Sequence, residues 1–202
     1  MKLYNGDAAN PRRVRIFLVE KGIEADRIDF DVVAGATRTP DFLKKNSLGH
    51  VPILELDDGT VITESHAICR YFEEVHPDPP LFGTDARQKA LIEMWNRRLE
   101  IELLMTLGAI AQHSFRFFST RLRQVPAYAD AQRETAVEKW IWLDGELSDG
   151  RPYAAGEAFS VADITGMTAL HLSAVVDAEC PPDLPHVNAW AARLRSRPSW
   201  LA

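Results

Sequence analysis

The sequence predicts two domains, an α/β domain followed by an all-α domain. Three observations support this prediction. Strand and helix patterns alternate up to residue 75, a stretch with three prolines follows at residues 76–83, and only helical patterns occur beyond it. We therefore expect the α/β domain to span residues 1–76, a linker to span 77–84, and the helical domain to span 85–202.

The first two elements of the α/β domain are a strand and a helix. The strand is predicted at residues 2–4. The helix is expected to have Asn10 as its N-cap, Pro11 at its first helical position and Gly22 as its stop signal. One face of the helix is apolar, formed by Val14, Phe17 and Leu18. This pattern indicates an amphipathic helix that buries one side.

The next elements complete a predicted sheet. Alternating apolar residues indicate a half-buried strand at residues 26–33. Its apolar positions are Ile28, Phe30 and Val32. A short capped helix is expected at residues 39–46, then a hairpin with its turn at 57–59, then a helix from residue 65. A strand-helix-strand unit followed by a hairpin and a helix favours an α/β sandwich with a mixed sheet.

Four helical stretches are predicted in the second domain. They cover residues 85–118, 127–147, 159–176 and 186–196. Leu91, Trp95 and Leu99 recur at helical spacing and predict the inward stripe of the first stretch. Ser160 and Asp163 predict a capping box at the start of the third, whose apolar composition indicates a buried helix.

The composition excludes several classes of protein. Hydrophobic residues make up 46% of the chain and charged residues 26%, which is typical of a folded globular protein. The net charge of -6 disfavours nucleic acid and anionic membranes as partners. Neither an apolar leader nor a run of about 18 apolar residues occurs, so we expect a cytoplasmic protein that does not span a membrane.

The cysteine content argues against metal and dithiol chemistry. Only Cys69 and Cys180 are present, far apart and without a CxxC spacing. A disulfide scaffold, a cysteine-only metal site and a dithiol redox motif are therefore disfavoured, and we expect no bound metal. Cys69 falls among apolar residues of a predicted helix, which indicates a buried, unreactive thiol. Cys180 lies in a proline-containing loop with no evident role.

The stretch "HVPILELDDGTVITESHAI", residues 50–68, carries more than a hairpin. It puts Pro52 where a strand begins, and Glu64-Ser65 immediately before an apolar helix. Both ends could be plain architecture, or both could contact a ligand. The stretch resembles the glutathione transferase motif, in which a valine-proline pair precedes a hairpin and a Glu/Gln-Ser pair opens a helix. "FSVADIT" and "NPRRVRIFLVEKGI" resemble the capping-box motif and the first helix of the same cytosolic family.

The resemblance covers essentially the whole chain and implies a thioredoxin-like, glutathione-binding domain followed by the helical domain. It implies that the Val51-Pro52 bond is cis and turns the Val51 backbone toward the glutathione tripeptide. Ser65 and the first N–H groups of its helix would hold the γ-glutamyl carboxylate, because helix N-termini carry unpaired donors. Glu64 would meet the γ-glutamyl ammonium, unless Glu64-Ser65 is only a helix cap.

Two further residues are candidates for the glycine carboxylate of glutathione. Arg38 lies in the predicted loop before the second helix. His50 occupies a place where the family pattern often carries a Lys or Gln for this role. Loop Arg and His residues can also be simply solvated, so both interpretations stay open here.

The group that activates the glutathione thiol departs from the common pattern. Many members of the family use a Ser or Cys in the loop before the first helix, where this chain has Ala8. Asn10 could donate to the sulfur, as in some bacterial members of the family, or could only cap the helix. Tyr4 lies roughly where tyrosine-type members carry their hydroxyl. The helix N-terminus alone is the third alternative.

The resemblance implies the function of a glutathione transferase that conjugates the thiolate to a small hydrophobic electrophile in detoxification, and it implies a homodimer. One alternative is a glutathione-dependent disulfide or peroxide reductase. Another is a transferase-like glutathione-binding protein with a docking role and little turnover. The electrophile site is expected in the helical domain, which offers aromatic residues, some of them core, and arginines for an anionic substrate. These residues are Phe115, Phe117, Phe118, Arg97, Arg98 and Arg116.

Overall fold

The computed structural model describes all 202 residues, which divide into two compact units. The first unit comprises residues 1–81 with 201–202, and the second comprises residues 82–200. The first holds a four-stranded mixed sheet with three α-helices, and the second is helical apart from one isolated bridge. The predicted fold class is therefore confirmed. None of the helices combines the length and the apolar composition that a membrane span needs.

The sheet of the first unit has the strand order β2-β1-β3-β4. Strand β1 pairs in parallel with β2 and antiparallel with β3, and β3 and β4 form the predicted hairpin. The strands are β1 (Lys2–Asn5), β2 (Asp26–Asp29), β3 (Ile53–Glu55) and β4 (Val61–Thr63). The helices are α1 (Ala9–Lys21), α2 (Pro40–Lys45) and α3 (Ser65–Val75). A single 3₁₀ turn, Ala36–Arg38, precedes α2.

The apolar residues predicted for the second strand do face the core, although the strand itself is shorter than expected. They pack against a buried cluster made of Tyr4, Phe42, Val51 and Ile53. The backbone N–H of Phe30 donates to the Asn5 carbonyl at 2.9 Å, after which the chain turns at Asp31. The Asp31 carboxylate accepts from the Ala34 N–H at 2.8 Å, so a side-chain turn replaces further strand pairing.

Helix α1 begins earlier than predicted. Ala8 is the N-cap residue and its carbonyl accepts from the Arg12 N–H at 3.1 Å, so Asn10 is the second helical residue. The expectation that Asn10 caps the helix is therefore wrong. Pro11 fits at the third position because the first N–H groups of a helix have no partner inside it. Gly22 ends the helix as predicted, with a left-handed φ of 64°.

The second unit contains five α-helices with a π-helical segment between the first two. The elements are α4 (Ala86–Arg98), the π segment Leu99–Leu104, α5 (Met105–Ser114), α6 (Pro126–Glu146), α7 (Val161–Val175) and α8 (Pro185–Arg195). The 3₁₀ turn Arg116–Thr120 follows α5, and the 3₁₀ turn Pro198–Leu201 begins in this unit and ends at the first residue of the carboxyl-terminal pair assigned to the first unit. Trp95 and Leu99 are buried as predicted, but Leu91 is 39% exposed, because the amino-terminal half of α4 reaches the surface.

Helix α7 forms the centre of the second unit and begins with the predicted capping box. The Asp163 carboxylate is fully buried and accepts from the backbone N–H groups of Ala154 (2.8 Å) and Ser160 (3.0 Å). It also accepts from the Ser160 hydroxyl at 3.1 Å and the Trp190 indole N–H at 3.0 Å. Burial raises the pKa of Asp163, and these hydrogen bonds act in the opposite direction. The carboxylate thus joins α7, α8 and the preceding loop.

Candidate functional site

The Val51-Pro52 bond lies directly before β3 and is cis. Both residues are buried, and Val51 belongs to the apolar cluster beneath the sheet. The adjacent Gly49 has a left-handed φ of 63°, and a Cβ there would lie 2.8 Å from the Arg38 guanidinium. Glycine at this position therefore lets Arg38 lie against the loop that leads into Val51.

That loop brings Arg38 and His50, the two candidates for the glycine carboxylate, to the same part of the first unit. Arg38 is exposed and donates from Nη1 to the Leu48 carbonyl at 3.1 Å. The buried Asn46 side chain donates to the His50 carbonyl at 3.0 Å and accepts from the Leu48 N–H at 3.1 Å. Sequence interpretation missed Asn46, because an asparagine after a short helix carries no signal that distinguishes a loop organiser from a helix end.

Glu64 stands at the start of α3 in an unusual backbone conformation. Its φ is 68° and its ψ is 119°, a region that residues other than glycine seldom adopt. Such conformations cost about 1–3 kcal/mol and occur mainly where a site requires them. The Glu64 side chain is exposed and makes no capping hydrogen bond to α3. Its carboxylate is therefore not used as a helix cap and stays accessible to a ligand.

Ser65 is the first residue of α3 and is almost fully buried. Its Oγ accepts a hydrogen bond at 3.2 Å from Nη1 of Arg13, a buried residue of α1. A guanidinium only donates, so the Ser65 hydroxyl keeps its own proton for another acceptor. The contact with Arg13 was not predicted, since an arginine on a short helix is more often solvent-exposed.

Tyr4, one of the candidates for thiol activation, lies on β1 with its hydroxyl already engaged. Its hydroxyl donates at 2.6 Å to Glu55 of β3, and the same carboxylate oxygen lies 2.5 Å from Lys45 Nζ. The hydrogen bond to Glu55, with burial second, raises the pKa of Tyr4. The phenol therefore stays neutral at pH 7 and its proton is directed to Glu55. Its ring belongs to the buried apolar cluster, which gives Tyr4 a structural role.

Asn10 lies exposed in the first turn of α1. Ala8 at the N-cap offers no side-chain acceptor to the first N–H groups of the helix. The amino end of α1 therefore presents unpaired donors, partial positive charge and the Asn10 amide at one place. Asn10 and the helix N-terminus, two of the three alternatives for thiol activation, coincide there.

Neither cysteine offers a thiolate of its own. Cys69 is fully buried in α3, and burial raises the pKa of its thiol to about 12. The prediction of a buried Cys69 is confirmed. Burial also raises the pKa of Cys180 to about 11. Both side chains are thus protonated at neutral pH and are poor nucleophiles.

The aromatic and basic candidates of the second unit lie near its surface. Phe115, Phe117 and Phe118 are all partly exposed, so the expectation that some of them are core residues is wrong. The 3₁₀ turn Arg116–Thr120, which contains Phe117 and Phe118, replaces the longer helix that was predicted here. Arg116 is exposed.

Two of the arginines in this set are engaged on the α4 surface. Arg97 pairs with Glu100, and Arg98 lies 3.7 Å from Glu146 and stacks at 5.1 Å over the Trp95 ring. These pairs hold the two guanidinium groups against the helical unit. They leave Arg116 as the arginine of the set with the fewest restraints on this surface.

Comparison with known families assigns the chain to a family. The model of the glutathione S-transferase N-terminal domain matches residues 9–75, and that of the C-terminal domain matches residues 101–198. The chain belongs to the glutathione transferase family. This transferase is 36% identical to glutathione S-transferase 2 of Saccharomyces cerevisiae, over 94% of this chain and 82% of that protein.

Solved structures agree with this assignment. A glutathione S-transferase domain-containing protein of Marinobacter aquaeolei is 37% identical, with a TM-score of 0.92, 99% of this chain covered and 100% of that one. Gtt2 of Saccharomyces cerevisiae is 35% identical, with a TM-score of 0.92, 100% of this chain covered and 99% of that one. The predicted family, fold and enzyme class are thereby confirmed for this transferase.

Proposed function

We propose that this enzyme binds glutathione on its α/β unit and conjugates the thiolate to a small hydrophobic electrophile, as a detoxifying enzyme of the cytoplasm. The amino end of α3 is the observation that carries the proposal. There Glu64 keeps an exposed carboxylate at a left-handed φ, and Ser65 keeps a hydroxyl proton to donate. This combination of an acceptor beside a donor and a helix N-terminus suits the ammonium and carboxylate of a γ-glutamyl group.

The remaining contacts follow the length of the tripeptide. The backbone of Val51, at the cis bond to Pro52, would pair with the extended ligand as an added strand pairs with a sheet edge. The glycine carboxylate would lie at His50, in the loop before Val51, and at Arg38, which contacts that loop through the Leu48 carbonyl. Glutathione is the only co-substrate in this proposal, and no metal takes part.

Thiol activation is assigned to the amino end of α1. A free cysteine thiol has a pKa near 8.5, so a transferase must favour the thiolate at neutral pH. Unpaired N–H groups of α1 and the Asn10 amide would donate to the sulfur and lower its pKa. Tyr4 is not assigned this role, because its hydroxyl proton is directed to Glu55.

The proposal is tested by calorimetric titration with glutathione, followed by a conjugation assay with 1-chloro-2,4-dinitrobenzene on the same sample. Binding with turnover is expected. Binding without turnover would favour either a glutathione-dependent reductase or a glutathione-binding docking protein over a conjugating enzyme. Reduction of hydroxyethyl disulfide by glutathione would identify the reductase, and its absence the docking protein. No binding would overturn the proposal.

Asn10→Ala is expected to lower the conjugation rate by about tenfold or more, because a hydrogen bond to a charged group contributes about 1.5–3 kcal/mol, while glutathione affinity stays nearly unchanged. The measurement is kcat with 1-chloro-2,4-dinitrobenzene together with the Kd for glutathione. Tyr4→Phe is the comparison variant and should keep conjugation activity, because its hydroxyl serves Glu55. Full activity in Asn10→Ala would leave the α1 N–H groups as the activating element.

We further propose that the enzyme is a homodimer formed through an apolar stripe on α4, the π segment and α5. The stripe consists of Leu91, Met94, Ile101 and Met105, which are 39%, 37%, 44% and 62% exposed in the single chain. Apolar side chains aligned in this way on a helix surface are typical of a protein interface.

Light scattering is expected to give twice the chain mass of 22.7 kDa for the wild type and a single chain mass for Met105→Glu. Met105 is the most exposed residue of the stripe, and a charge there would be desolvated without a partner in the dimer. Val19→Glu, on the exposed side of α1, is the control and should leave the mass unchanged. A dimeric Met105→Glu variant would place the interface elsewhere.

A further inference from the structure

Helices α1 and α3 are joined by a basic contact at each end of their interface. Arg13 donates to Ser65 at 3.2 Å, and Lys21 Nζ lies 2.5 Å from the Glu73 carboxylate. Each contact joins two residues that are 52 positions apart. Arg13 and Lys21 are therefore eight positions apart on α1, as Ser65 and Glu73 are on α3. The two helices therefore run parallel, with the two contacts about 12 Å apart along the axis.

We call this interface the α1–α3 seam and define it by its buried residues. They are Arg13, Phe17 and Lys21 of α1 with Ser65, Cys69 and Glu73 of α3, three buried pairs that share the offset of 52 residues. The spacing on α3 is that of one helix face, and Arg13, Phe17 and Lys21 follow one another at i+4. The seam is thus apolar in its middle and polar at both ends. Apolar packing alone permits small sliding and rotation, whereas paired polar groups at both ends select one arrangement.

Lys21 fixes the far end of the seam in three directions. Besides the Glu73 carboxylate, its ammonium donates to the His76 carbonyl at 2.7 Å and to the Pro79 carbonyl at 2.5 Å. An ammonium has three donors, and three acceptors surround this one. The Lys21 side chain is fully buried and that of Glu73 is 8% exposed, so solvent screens the pair little.

The near end of the seam lies at the proposed glutathione site. Moving α1 by one residue would shift Arg13 by about 1.5 Å along the axis and 100° around it, which breaks a 3.2 Å hydrogen bond. While Arg13 occupies a lone pair of Ser65, the Ser65 proton is directed away from α1. We propose that Lys21 and Glu73 are positioning residues for glutathione, which hold Arg13 opposite Ser65 and so aim the hydroxyl at the γ-glutamyl carboxylate; this rests on the proposed function.

The test is the double variant Lys21→Met with Glu73→Leu, which removes both charges together and leaves neither buried alone. We expect KM for glutathione to rise three- to tenfold while kcat stays within twofold, since the thiolate is held at the amino end of α1. Lys21→Arg, which keeps the cation, should stay within twofold of the wild-type KM. The matched control is Asp41→Leu with Lys44→Met, an exposed pair on α2, and it should leave KM unchanged.

A second measurement separates positioning from general loosening. Cys69 lies in the middle of the seam and is fully buried, so its reaction with a disulfide reagent reports opening of the α1–α3 contact. A raised KM with Cys69 still protected supports the proposal. A raised KM that accompanies fast Cys69 labelling overturns it, and so does an unchanged KM.

Failure of the proposed function would be recognised in the wild type, which would then bind no glutathione and leave nothing to position. If the double variant does not fold, Glu73→Gln is measured in the same way. It keeps an acceptor for Lys21 but not the charge, and KM should rise at least twofold. An unchanged KM in that variant overturns the proposal.

Discussion

Replacement of Asp163 by alanine is expected to destabilise the helical unit by about 3–5 kcal/mol, a large loss of the kind that follows when a buried hydrogen-bond network is broken. Four donors, from Ala154, Ser160 and Trp190, would lose their common acceptor inside the core. Each buried donor left unpaired costs about 1–3 kcal/mol when it cannot relax toward water. Urea unfolding followed by tryptophan fluorescence measures the change, because the Trp190 indole is one of the four donors.

Two further variants define the origin of that loss. Asp130→Ala, on the exposed surface of α6, removes an aspartate with little change in stability and serves as the control. Asp163→Asn keeps an acceptor oxygen but adds donors that face other donors, so we expect an intermediate loss. A stability of Asp163→Ala within 1 kcal/mol of the wild type, a change that surface substitutions rarely exceed, would show that the capping box is not a major source of stability.

Ser65→Ala is expected to weaken glutathione binding by about 1–3 kcal/mol, or roughly 5- to 150-fold in Kd, because a hydrogen bond to a charged group is lost. Two effects add in this variant. The ligand carboxylate loses the Ser65 hydroxyl, and Arg13 loses the acceptor that it holds at 3.2 Å. Calorimetric titration with glutathione gives the Kd directly.

The comparison for Ser65→Ala is Ser47→Ala, an exposed serine in the loop before His50, which should leave the Kd unchanged. Thermal unfolding of both variants separates a loss of binding from a loss of structure. An unchanged Kd in a folded Ser65→Ala variant would return Glu64-Ser65 to the interpretation of a plain helix start.

Local patterns in the sequence predicted much of the architecture. The turn at residues 57–59, the capping box at Ser160 and Asp163, and the stop at Gly22 are each determined by a few adjacent residues. Turns and helix caps can be predicted from sequence, because their hydrogen bonds join residues only a few positions apart. Val51-Pro52 and Glu64-Ser65 are local motifs as well, and the structure places them directly before β3 and at the start of α3.

The start of α1 shows where such inference fails. Asn10 before Pro11 satisfies the usual preferences for a cap, yet the first helical hydrogen bond is accepted by the Ala8 carbonyl. A third-position proline loses nothing in this arrangement, so the sequence permits both starts. The prediction that Leu91 faces inward was wrong for a related reason. Helical spacing predicts which residues share a face, but not how far along the helix that face is covered by other elements.

Contacts across long sequence separations could not be predicted. Arg13 and Lys21 carry charges that normally favour water, and their partners lie 52 residues away. The residues next to Arg13 and Lys21 in sequence do not indicate that they are buried. The acceptors that make their burial possible lie on α3 and on carbonyls of the segment that follows it. The roles of Tyr4, Asn10, Val51, Pro52, Glu64, Ser65, His50 and Arg38 toward glutathione stay predictions. Their positions can now direct the choice of variants.

The α1–α3 seam also limits how this sequence can change through descent. Replacement of Lys21 alone by an uncharged residue leaves the Glu73 carboxylate buried without a cation, at a cost of about 3–5 kcal/mol against a total stability of about 5–15 kcal/mol. A single step of that size removes much of the margin, whereas a paired exchange for apolar residues of similar volume does not. We therefore expect positions 21 and 73 to change together, so that related sequences carry both charges or neither.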